Sequence, residues 1–251
     1  MGLPVTRRRA AGAGVLVLTA LAMTACGGAG EAEPAASAPV VTVTAPATPN
    51  AGPVADAARL QAALLTAADL PAGFVALPDP VRDLGLPPAT AAAGADKSST
   101  TPQACAEVLR EVADQSPGSL TRAAVRFGGP SFTSIDTDAA SFPATGASQA
   151  FTRIQSTLTQ CTEYRGTDAD GVQVGYRLGG LDQSKVGDAS TAVRLTTASD
   201  GVTMTSDVVI AMVGSTVLQV VASGQQPVEP EVLTGLASTA VDRIRGAVVA
   251  G

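Results

Sequence analysis

The stretch DVVIAMVGSTVLQVV, residues 207–221, decides the fold of this chain. Its run VVIAMV, at Val208–Val213, is apolar at every position, so a strand formed there has no side that faces water. The dipeptide Gly214-Ser215 follows and is typical of a type II′ hairpin turn, which places Val209 opposite Val220. The sequence therefore predicts a central pair of antiparallel strands that is covered on both faces.

A second hairpin signal precedes this pair of strands. Asp200-Gly201 is typical of a two-residue turn, and such a turn places Arg194 opposite Asp207. We interpret these two side chains as a cross-strand ion pair that helps to fix the register. The alternative is that Arg194 lines a ligand cleft and is oriented by the carboxylate of Asp207.

A third hairpin signal lies further upstream, at Asp170-Gly171. As a two-residue turn it places Tyr164 opposite Arg177, where the ring and the guanidinium form a cation–π pair. The run Asp168–Gly171 also resembles the start of a calcium-binding loop, but acidic residues are missing at the later ligand positions. We therefore interpret this run as a turn and predict no metal site.

Helices are expected around this meander of hairpins. Apolar residues recur at helical spacing in four segments, which are 55–65, 102–113, 146–161 and 232–248. Weak alternation predicts two more strands between residues 120 and 142, whereas residues 75–101 are typical of a long irregular excursion. Because helices flank an antiparallel sheet, we expect one α+β domain over residues 55–251, with amphipathic helices covering a central antiparallel sheet.

The residue types exclude most catalytic chemistries. The chain contains no histidine, which removes Ser-His-Asp and Cys-His catalysis and zinc sites with imidazole ligands. Neither lysine, Lys97 or Lys185, stands three residues after a serine, as the S-x-x-K pattern requires. A carboxylate-based hydrolase stays open as an alternative, because aspartate is common in the chain. We predict no catalytic residue and no cofactor.

The charge of the chain argues against a nucleic-acid partner. The formal net charge is −6 at pH 7, and the sequence has no basic stripe in its globular part. Proteins that neutralise phosphates do so with clustered lysines and arginines. We therefore expect no nucleic acid among the partners.

The first 25 residues have the organisation of a secretory signal peptide. Arg7–Arg9 is a basic start, and residues 10–23 form an apolar run that is too short to span a bilayer. The run ends in Met23–Cys26, which resembles a bacterial lipobox. The resemblance implies that Cys26 receives a diacylglyceryl group and that the protein is anchored on the outer face of the cytoplasmic membrane. The alternative is an ordinary secreted protein, cut after an A-x-A-like site such as Ala20–Ala22.

The segment that follows is expected to be a tether. Residues 26–54 are rich in alanine, proline and threonine and contain almost no large apolar residue. Such a composition buries too little surface to offset the loss of chain entropy. We therefore predict that residues 26–54 are disordered and that the globular part begins at residue 55.

Two cysteines remain once Cys26 is set aside. Cys105 and Cys161 both lie on apolar faces of predicted helices, in a protein that is expected to leave the reducing cytoplasm. We predict that they form a structural disulfide. A reactive dithiol is the alternative, but redox pairs are usually close in sequence, as in C-x-x-C.

Five short stretches carry a resemblance to a family of exported domains. They are LLTAADLPAGF at 64–74, CAEVL at 105–109, the helix at 150–161, Gly187-Asp188 and the strands at 207–221. Together they resemble the extracellular sensor domain of mycobacterial PknH-type serine/threonine kinases and related actinobacterial cell-envelope lipoproteins. The resemblance implies an α+β fold, an internal disulfide and a cleft for an unidentified ligand. The kinase sensors have two disulfides, whereas this sequence offers one, and no kinase domain accompanies it.

From these features we expect a non-enzymatic, lipid-anchored sensor or ligand-binding domain at the cell envelope. Its cleft is expected between the sheet and residues 75–101, with a small or lipidic ligand. The main alternative is a scaffold lipoprotein that docks on a membrane protein through its sheet edge or its C-terminal helix. In either case signalling must pass through another protein.

Overall fold

The computed structural model describes residues 38–79, 81, 85–87 and 96–249. The expected signal peptide over 1–25, the lipidation at Cys26 and the first part of the tether lie outside these residues. Among the helices of the described residues, none combines the length and the apolar character that crossing a bilayer requires.

The described residues form one antiparallel sheet with helices on both faces. The strands are β1 Val75–Leu77, β2 Ser99–Thr101, β3 Thr121–Gly128, β4 Ser134–Ser141, β5 Glu163–Thr167, β6 Gln173–Gly180, β7 Ala189–Ser199, β8 Val202–Val213 and β9 Thr216–Gly224. The α-helices are α1 Ala57–Ala62, α2 Val112–Gln115, α3 Gly146–Gln160 and α4 Pro230–Val249, and short 3-10 turns lie at Ala67–Asp69, Gln103–Glu107 and Pro130–Phe132. The strand order is β1-β3-β4-β9-β8-β7-β6-β5-β2, which confirms the α+β prediction.

Strand β8 lies in the middle of this order, as its uninterrupted apolar run predicts. Val209, Ala211 and Val213 point into the core that the sheet forms with α1 and α4. The alternate residues, Val208, Ile210 and Met212, point into a second core that is covered by α3. A strand with two buried faces explains why the sequence shows no polar alternation there.

Two of the three predicted hairpins have the expected register. Asp200 and Gly201 both have positive φ, 47° and 76°, which is the geometry of a type I′ turn, and Arg194 lies opposite Asp207. At the next turn Gly214 has φ of 54°, and Val209 lies opposite Val220. Local turn chemistry is therefore enough to set the register of β7, β8 and β9.

The third hairpin, at Asp170-Gly171, was predicted one residue out of register. The Asp168 amide donates to the Val172 carbonyl at 3.0 Å, so three residues rather than two form the loop. The Asp168 carboxylate accepts two main-chain N–H groups within the loop, which favours the longer turn. Tyr164 consequently lies opposite Tyr176 and stacks on it with ring centroids 4.5 Å apart, and the expected cation–π pair with Arg177 does not form.

The predicted helix over 102–113 is also wrong. The chain forms a 3-10 turn at Gln103–Glu107, reverses at Leu109, where φ is 61°, and only then enters the short helix α2. The Val112 amide finds its partner on the sheet, where it donates to the side chain of Asp138. Tertiary hydrogen bonds override the helical periodicity in this segment.

The predicted disulfide links this segment to α3. Cys105 and Cys161 are bonded, with their Cα atoms 5.6 Å apart, and both are buried in the core under α3. The bond joins the 3-10 turn before α2 to the residue that ends α3.

The tether prediction needs a correction over its second half. Residues 38–54, here called the strap, have no regular secondary structure but lie against the domain. The Val54 amide donates to Ser141 at 2.8 Å, and both main-chain polar groups of Val43 bond to the side chain of Gln155. Hydrogen bonds to the backbone therefore hold the strap on the domain, together with the burial of Val54 and the packing of Val43.

Candidate functional site

Two aspartates of β4 point to the face of the sheet that carries α2 and α3. Asp136 and Asp138 alternate with Thr137, so their carboxyl groups lie on the same side of the strand. Arg126 of β3 lies opposite Asp136, and Gln219 of β9 lies opposite Asp138. Three neighbouring strands thus bring charged and amide side chains to one place.

The segment 109–115, which contains α2, covers these side chains. The Val112 amide donates to Asp138 Oδ1 at 2.7 Å, and Gln219 Nε2 donates to the Arg110 carbonyl at 3.2 Å. A hydrogen bond inside the same segment also stabilises it: Gln115 Nε2 donates to the Arg110 carbonyl at 2.6 Å. The cover is therefore fixed to the floor by hydrogen bonds and not by apolar packing alone.

Asp138 is the most buried charged group of the site, with 7% of its surface exposed. Its second oxygen, Oδ2, accepts from Gln219 Nε2 at 3.1 Å, and Gln219 Oε1 accepts from Gln115 Nε2 at 3.4 Å. Gln115 Oε1 is buried as well, and no described residue donates a hydrogen bond to it. An unsatisfied buried acceptor costs free energy, so this network holds the cover at some cost to stability.

Burial controls the protonation of both aspartates. Removal from water, with smaller contributions from the nearby carboxylates of Glu111 and Asp136, raises the pKa of Asp138 to about 7, although the hydrogen bonds from Val112 and Gln219 act to lower it. Burial also raises the pKa of Asp136, while the hydrogen bond from Ser134 and the charge of Arg126 lower it. Asp138 therefore changes its charge close to neutral pH.

Asp136 is the accessible member of the pair. Its side chain is 34% exposed, and Ser134 Oγ donates to Oδ2 at 3.0 Å. Arg126 lies between two acids, with Nε 3.7 Å from Asp136 Oδ1 and Nη2 3.6 Å from Glu111 Oε1. These separations are too long for strong hydrogen bonds, so both the guanidinium and the carboxylates keep capacity for a ligand.

These groups surround a cavity of about 380 Å³, here called the carboxylate cavity. Its lining contains four carboxyl groups and two guanidinium groups, from Glu111, Asp114, Asp136, Asp138, Arg110 and Arg126. The volume falls in the range of small-molecule sites. Carboxylates accept hydrogen bonds from hydroxyl and ammonium groups, so the chemistry of the cavity suits a small polar molecule rich in donors.

The structure places the predicted pair Arg194 and Asp207 elsewhere. Arg194 Nε and Nη2 donate to the two oxygens of Asp207 at 2.5 and 2.9 Å, and these hydrogen bonds raise the pKa of Arg194. The Val228 amide, which precedes α4, also donates to Asp207, at 3.2 Å. Neither residue of the pair lines the carboxylate cavity. Its position supports the structural interpretation, because it joins β7 and β8 to the chain that enters α4.

The cleft predicted beside residues 75–101 stays a prediction, because much of this segment lies outside the described residues. The ends of this excursion lie at opposite edges of the sheet, because β1 pairs with β3 and β2 pairs with β5. The larger cavities formed by described residues are lined by other parts of the chain.

The described residues also contain no group of three or more acidic or cysteine side chains that could hold a metal ion.

Sequence reasoning missed the residues of the carboxylate cavity. The run IDTDAA at 135–140 does carry a signal, since aspartates two apart in a predicted strand must share a face. What the sequence does not show is that segment 109–115 covers them, since that contact joins residues far apart in the chain.

The fold defines the class of this protein: an α+β domain with a single antiparallel sheet between two helical layers. No protein-family model matches the chain, and no curated protein matches its sequence. Among solved structures, the extracellular domain of PknH from Mycobacterium tuberculosis is similar, with 14% identity and a TM-score of 0.57, over 76% of this chain and 97% of that one. At this identity the likeness shows the fold alone, and it confirms the α+β fold that the sequence resemblance implied.

A second solved structure also matches. It is a putative uncharacterized protein of Mycobacterium smegmatis, an Rv0999 ortholog, with 13% identity over 78% of this chain and 98% of that one. Its TM-score of 0.37 is too low to support any argument.

Proposed function

We propose that this chain is a non-enzymatic sensor-type domain that binds a small polar ligand in the carboxylate cavity, outside the cytoplasm. Its anchor is a lipid on Cys26, on the outer face of the cytoplasmic membrane. The lipobox resemblance supports the anchor, and the likeness of the fold to an extracellular domain supports the location. Signals from such a domain reach the cell through a partner protein.

The observation that carries the proposal is the pairing of Asp136 and Asp138 on one face of β4, where both line the carboxylate cavity. A buried carboxyl with a pKa of about 7 is costly to keep, and it lies at the floor of a cavity that is large enough for a ligand. Asp136 and Arg126 line the same cavity and are accessible. Perturbed carboxyls that converge on a cavity are typical of a binding site.

The ligand class follows from the donors and acceptors. Acceptors dominate the cavity, because four carboxyl groups line it against two guanidinium groups. A ligand with hydroxyl or ammonium groups, such as an amino sugar or a diamine, satisfies them. An apolar or lipidic ligand does not, so the polar lining changes the ligand class expected from the sequence.

A binding role suits the cavity better than hydrolysis. Both oxygens of Asp138 accept structural hydrogen bonds, one from Val112 in the cover and one from Gln219 in the floor. A general acid or base needs a free oxygen directed at the reacting atom. Asp136 and Asp138 also stand side by side on one strand and do not face each other across the cavity, as the carboxyls of a glycosidase do.

The test is a thermal-shift screen of the exported domain at pH 7.5 with hexosamines, hexoses and diamines. We expect at least one of these classes to raise the Tm of the wild-type domain, because binding to the folded state stabilises it. Asp136→Asn should abolish that rise without lowering the Tm of the free protein by more than a few degrees.

The matched control is Asp242→Asn, which removes an exposed carboxylate on α4, away from the cavity. This variant should keep the ligand response. Equal responses of the wild type and Asp136→Asn, or no response to any of the three classes, would contradict the proposal.

A further inference from the structure

The strap is held by a side chain that bonds to its backbone twice. Gln155 of α3 accepts from the Val43 amide at 2.6 Å and donates to the Val43 carbonyl at 2.9 Å. With the strap in place Gln155 is 4% exposed, so its amide is buried and fully committed to this segment. A side-chain amide used in this way pairs with an extended chain as a neighbouring strand would.

Other residues of the domain also form hydrogen bonds with main-chain carbonyl groups of the strap. Thr191 Oγ1 donates to the Val41 carbonyl at 3.0 Å, and the Gly180 amide donates to the Ala38 carbonyl at 2.7 Å. Ser148 of α3 donates to the Pro46 carbonyl at 2.5 Å. Because each of these bonds goes to the main chain, this surface recognises the backbone of an extended polypeptide, and Val40, Val43 and Ala45 add apolar contacts with the core under α3.

Gly180 allows the strap to approach the sheet. A Cβ atom at this position would lie 2.2 Å from the carbonyl oxygen of Pro39, which is far inside contact distance. Any other residue at position 180 would push the strap away from the end of β6. The groove is thus shaped for a backbone at this point.

The strap fills this groove incompletely. A cavity of about 460 Å³ remains between residues 38–43 of the strap and the connection between β6 and β7. Val41, Leu181, Ala192 and Val209 contribute apolar lining, and Val41 itself is 65% exposed. A larger apolar side chain at the position of Val41 would bury more surface there.

We propose that this groove, formed by α3, the start of β7 and residues 181–188, binds an extended segment of a partner protein. The segment carries a bulky apolar side chain where the strap has Val41, and it is uncharged over the part that passes Gln155. The strap is its intramolecular substitute and must be displaced. A strap from a second copy of this chain would leave the same cavity, so the cavity favours a different polypeptide.

The measured affinity of an added peptide depends on how easily that peptide displaces the strap. The strap competes at the high effective concentration of a tethered segment, so a free peptide binds the wild type weakly. Val43→Pro removes the N–H group that Gln155 accepts and loosens the strap without altering the groove. The full chain with this substitution should therefore bind peptide more tightly than the wild type does.

The experiment measures fluorescence anisotropy of two labelled decapeptides on this variant. One has the sequence of residues 38–47, and the other has the change Val41→Phe. We expect the second peptide to bind about tenfold more tightly, since it fills the apolar cavity. Adding Gln155→Ala to the protein should weaken the binding of both peptides.

Equal affinities of the two peptides, or no effect of Gln155→Ala, would overturn the proposal. A stable dimer that exchanges straps and excludes the peptide with Val41→Phe would overturn it as well, in favour of a second copy. If the Val43→Pro variant does not fold, the proposal is tested instead by amide hydrogen exchange on the wild-type chain. Millimolar peptide should then speed exchange of the Val43 amide, and unchanged exchange counts against the groove.

Discussion

Asp138 shows how one buried residue sets both the shape and the charge of the site. Its two oxygens hold the cover through Val112 and the floor through Gln219, and these bonds require the side chain to stay inside. The cost of this position is a pKa raised to about 7 by burial. A ligand that donates hydrogen bonds or carries positive charge would lower that pKa again.

The first prediction concerns the pH dependence of stability. The pKa of Asp138 is about 7 in the folded state and near 3.8 when unfolded, so the folded state binds its proton more tightly between these values. The free energy of unfolding therefore falls as pH rises from 4 to 7, by at most about 4 kcal/mol from this residue. Asp138→Asn should show a smaller fall, measured by urea denaturation from pH 4 to 8. If the free energy of unfolding depends on pH in the same way in the variant and the wild type, Asp138 is not the cause of the fall.

The second prediction concerns Arg194 and Asp207. Asp207 is 1% exposed, so Arg194→Ala leaves a buried carboxylate with one remaining donor, the Val228 amide. We expect a loss of about 2–3 kcal/mol in the free energy of unfolding. The control Arg245→Ala breaks an exposed pair with Asp242 and should cost under about 1 kcal/mol. Similar losses in the two variants would show that the burial of Asp207 is unimportant.

At the scale of elements, the strap is the part with the least local support. It has no regular secondary structure. It keeps its path because α3 and the sheet bond to its backbone and because Val43 and Val54 pack on the two cores. Its composition, rich in alanine, proline and threonine, is that of a disordered segment. The amino-acid composition indicates how much apolar side-chain surface a segment can bury. It does not show whether the rest of the fold offers hydrogen-bond partners to the main chain of that segment.

The third prediction tests the fit of the strap within the chain itself. Val41→Phe places a larger apolar side chain beside the open cavity, so we expect the Tm to rise by a few degrees. Val41→Ser is the matched control and should leave the Tm unchanged or slightly lower. Calorimetry measures the Tm of both variants and of the wild type. A Tm of Val41→Phe below that of the wild type would mean that the side chain does not enter the cavity.

The elements also show which patterns predict structure well. The centre of the sheet and two hairpins follow from Val208–Val213, Asp200-Gly201 and Gly214-Ser215, because turn type and two-sided burial are local properties. The Asp170-Gly171 turn and the segment 102–113 depart from their local patterns. Side-chain hydrogen bonds from Asp168 in the first case and from Asp138 in the second outweigh them.

The candidate site was predictable only in part. Asp136 and Asp138 share a face of a strand that alternation predicts, so their proximity follows from the sequence. Their burial does not, because it depends on segment 109–115, which lies about 25 residues earlier in the chain and departs from its predicted helix. Contacts of this kind are set by the whole fold.

At the scale of the whole molecule, the strap shortens the link to the proposed anchor. The first described residue, Ala38, already bonds to the end of β6, and it stands twelve residues after Cys26. An extended chain of that length spans about 40 Å, so an anchored domain would stay close to the membrane surface. A sensor or a peptide-binding domain held there meets membrane-bound partners more readily than soluble ones.

The fourth prediction tests the anchor. Cys26→Ser removes the thiol that would carry the lipid, so the protein should leave the membrane fraction or keep its signal peptide. The folded domain should be unaffected, because Cys105 and Cys161 pair with each other. Fractionation and intact-mass measurement give the answer, and an unchanged membrane-bound fraction of the mature variant would contradict anchoring at Cys26.

The most direct test of the proposed function is carbon-13 NMR of the aspartate carboxyl groups during a pH titration. In the free protein we predict that Asp138 titrates near pH 7. Adding the hexosamine or diamine that raises the Tm should move this titration to lower pH and shift the signal of Asp136, because the ligand stabilises both carboxylates. Titration curves that stay the same at saturating ligand would contradict binding in the carboxylate cavity.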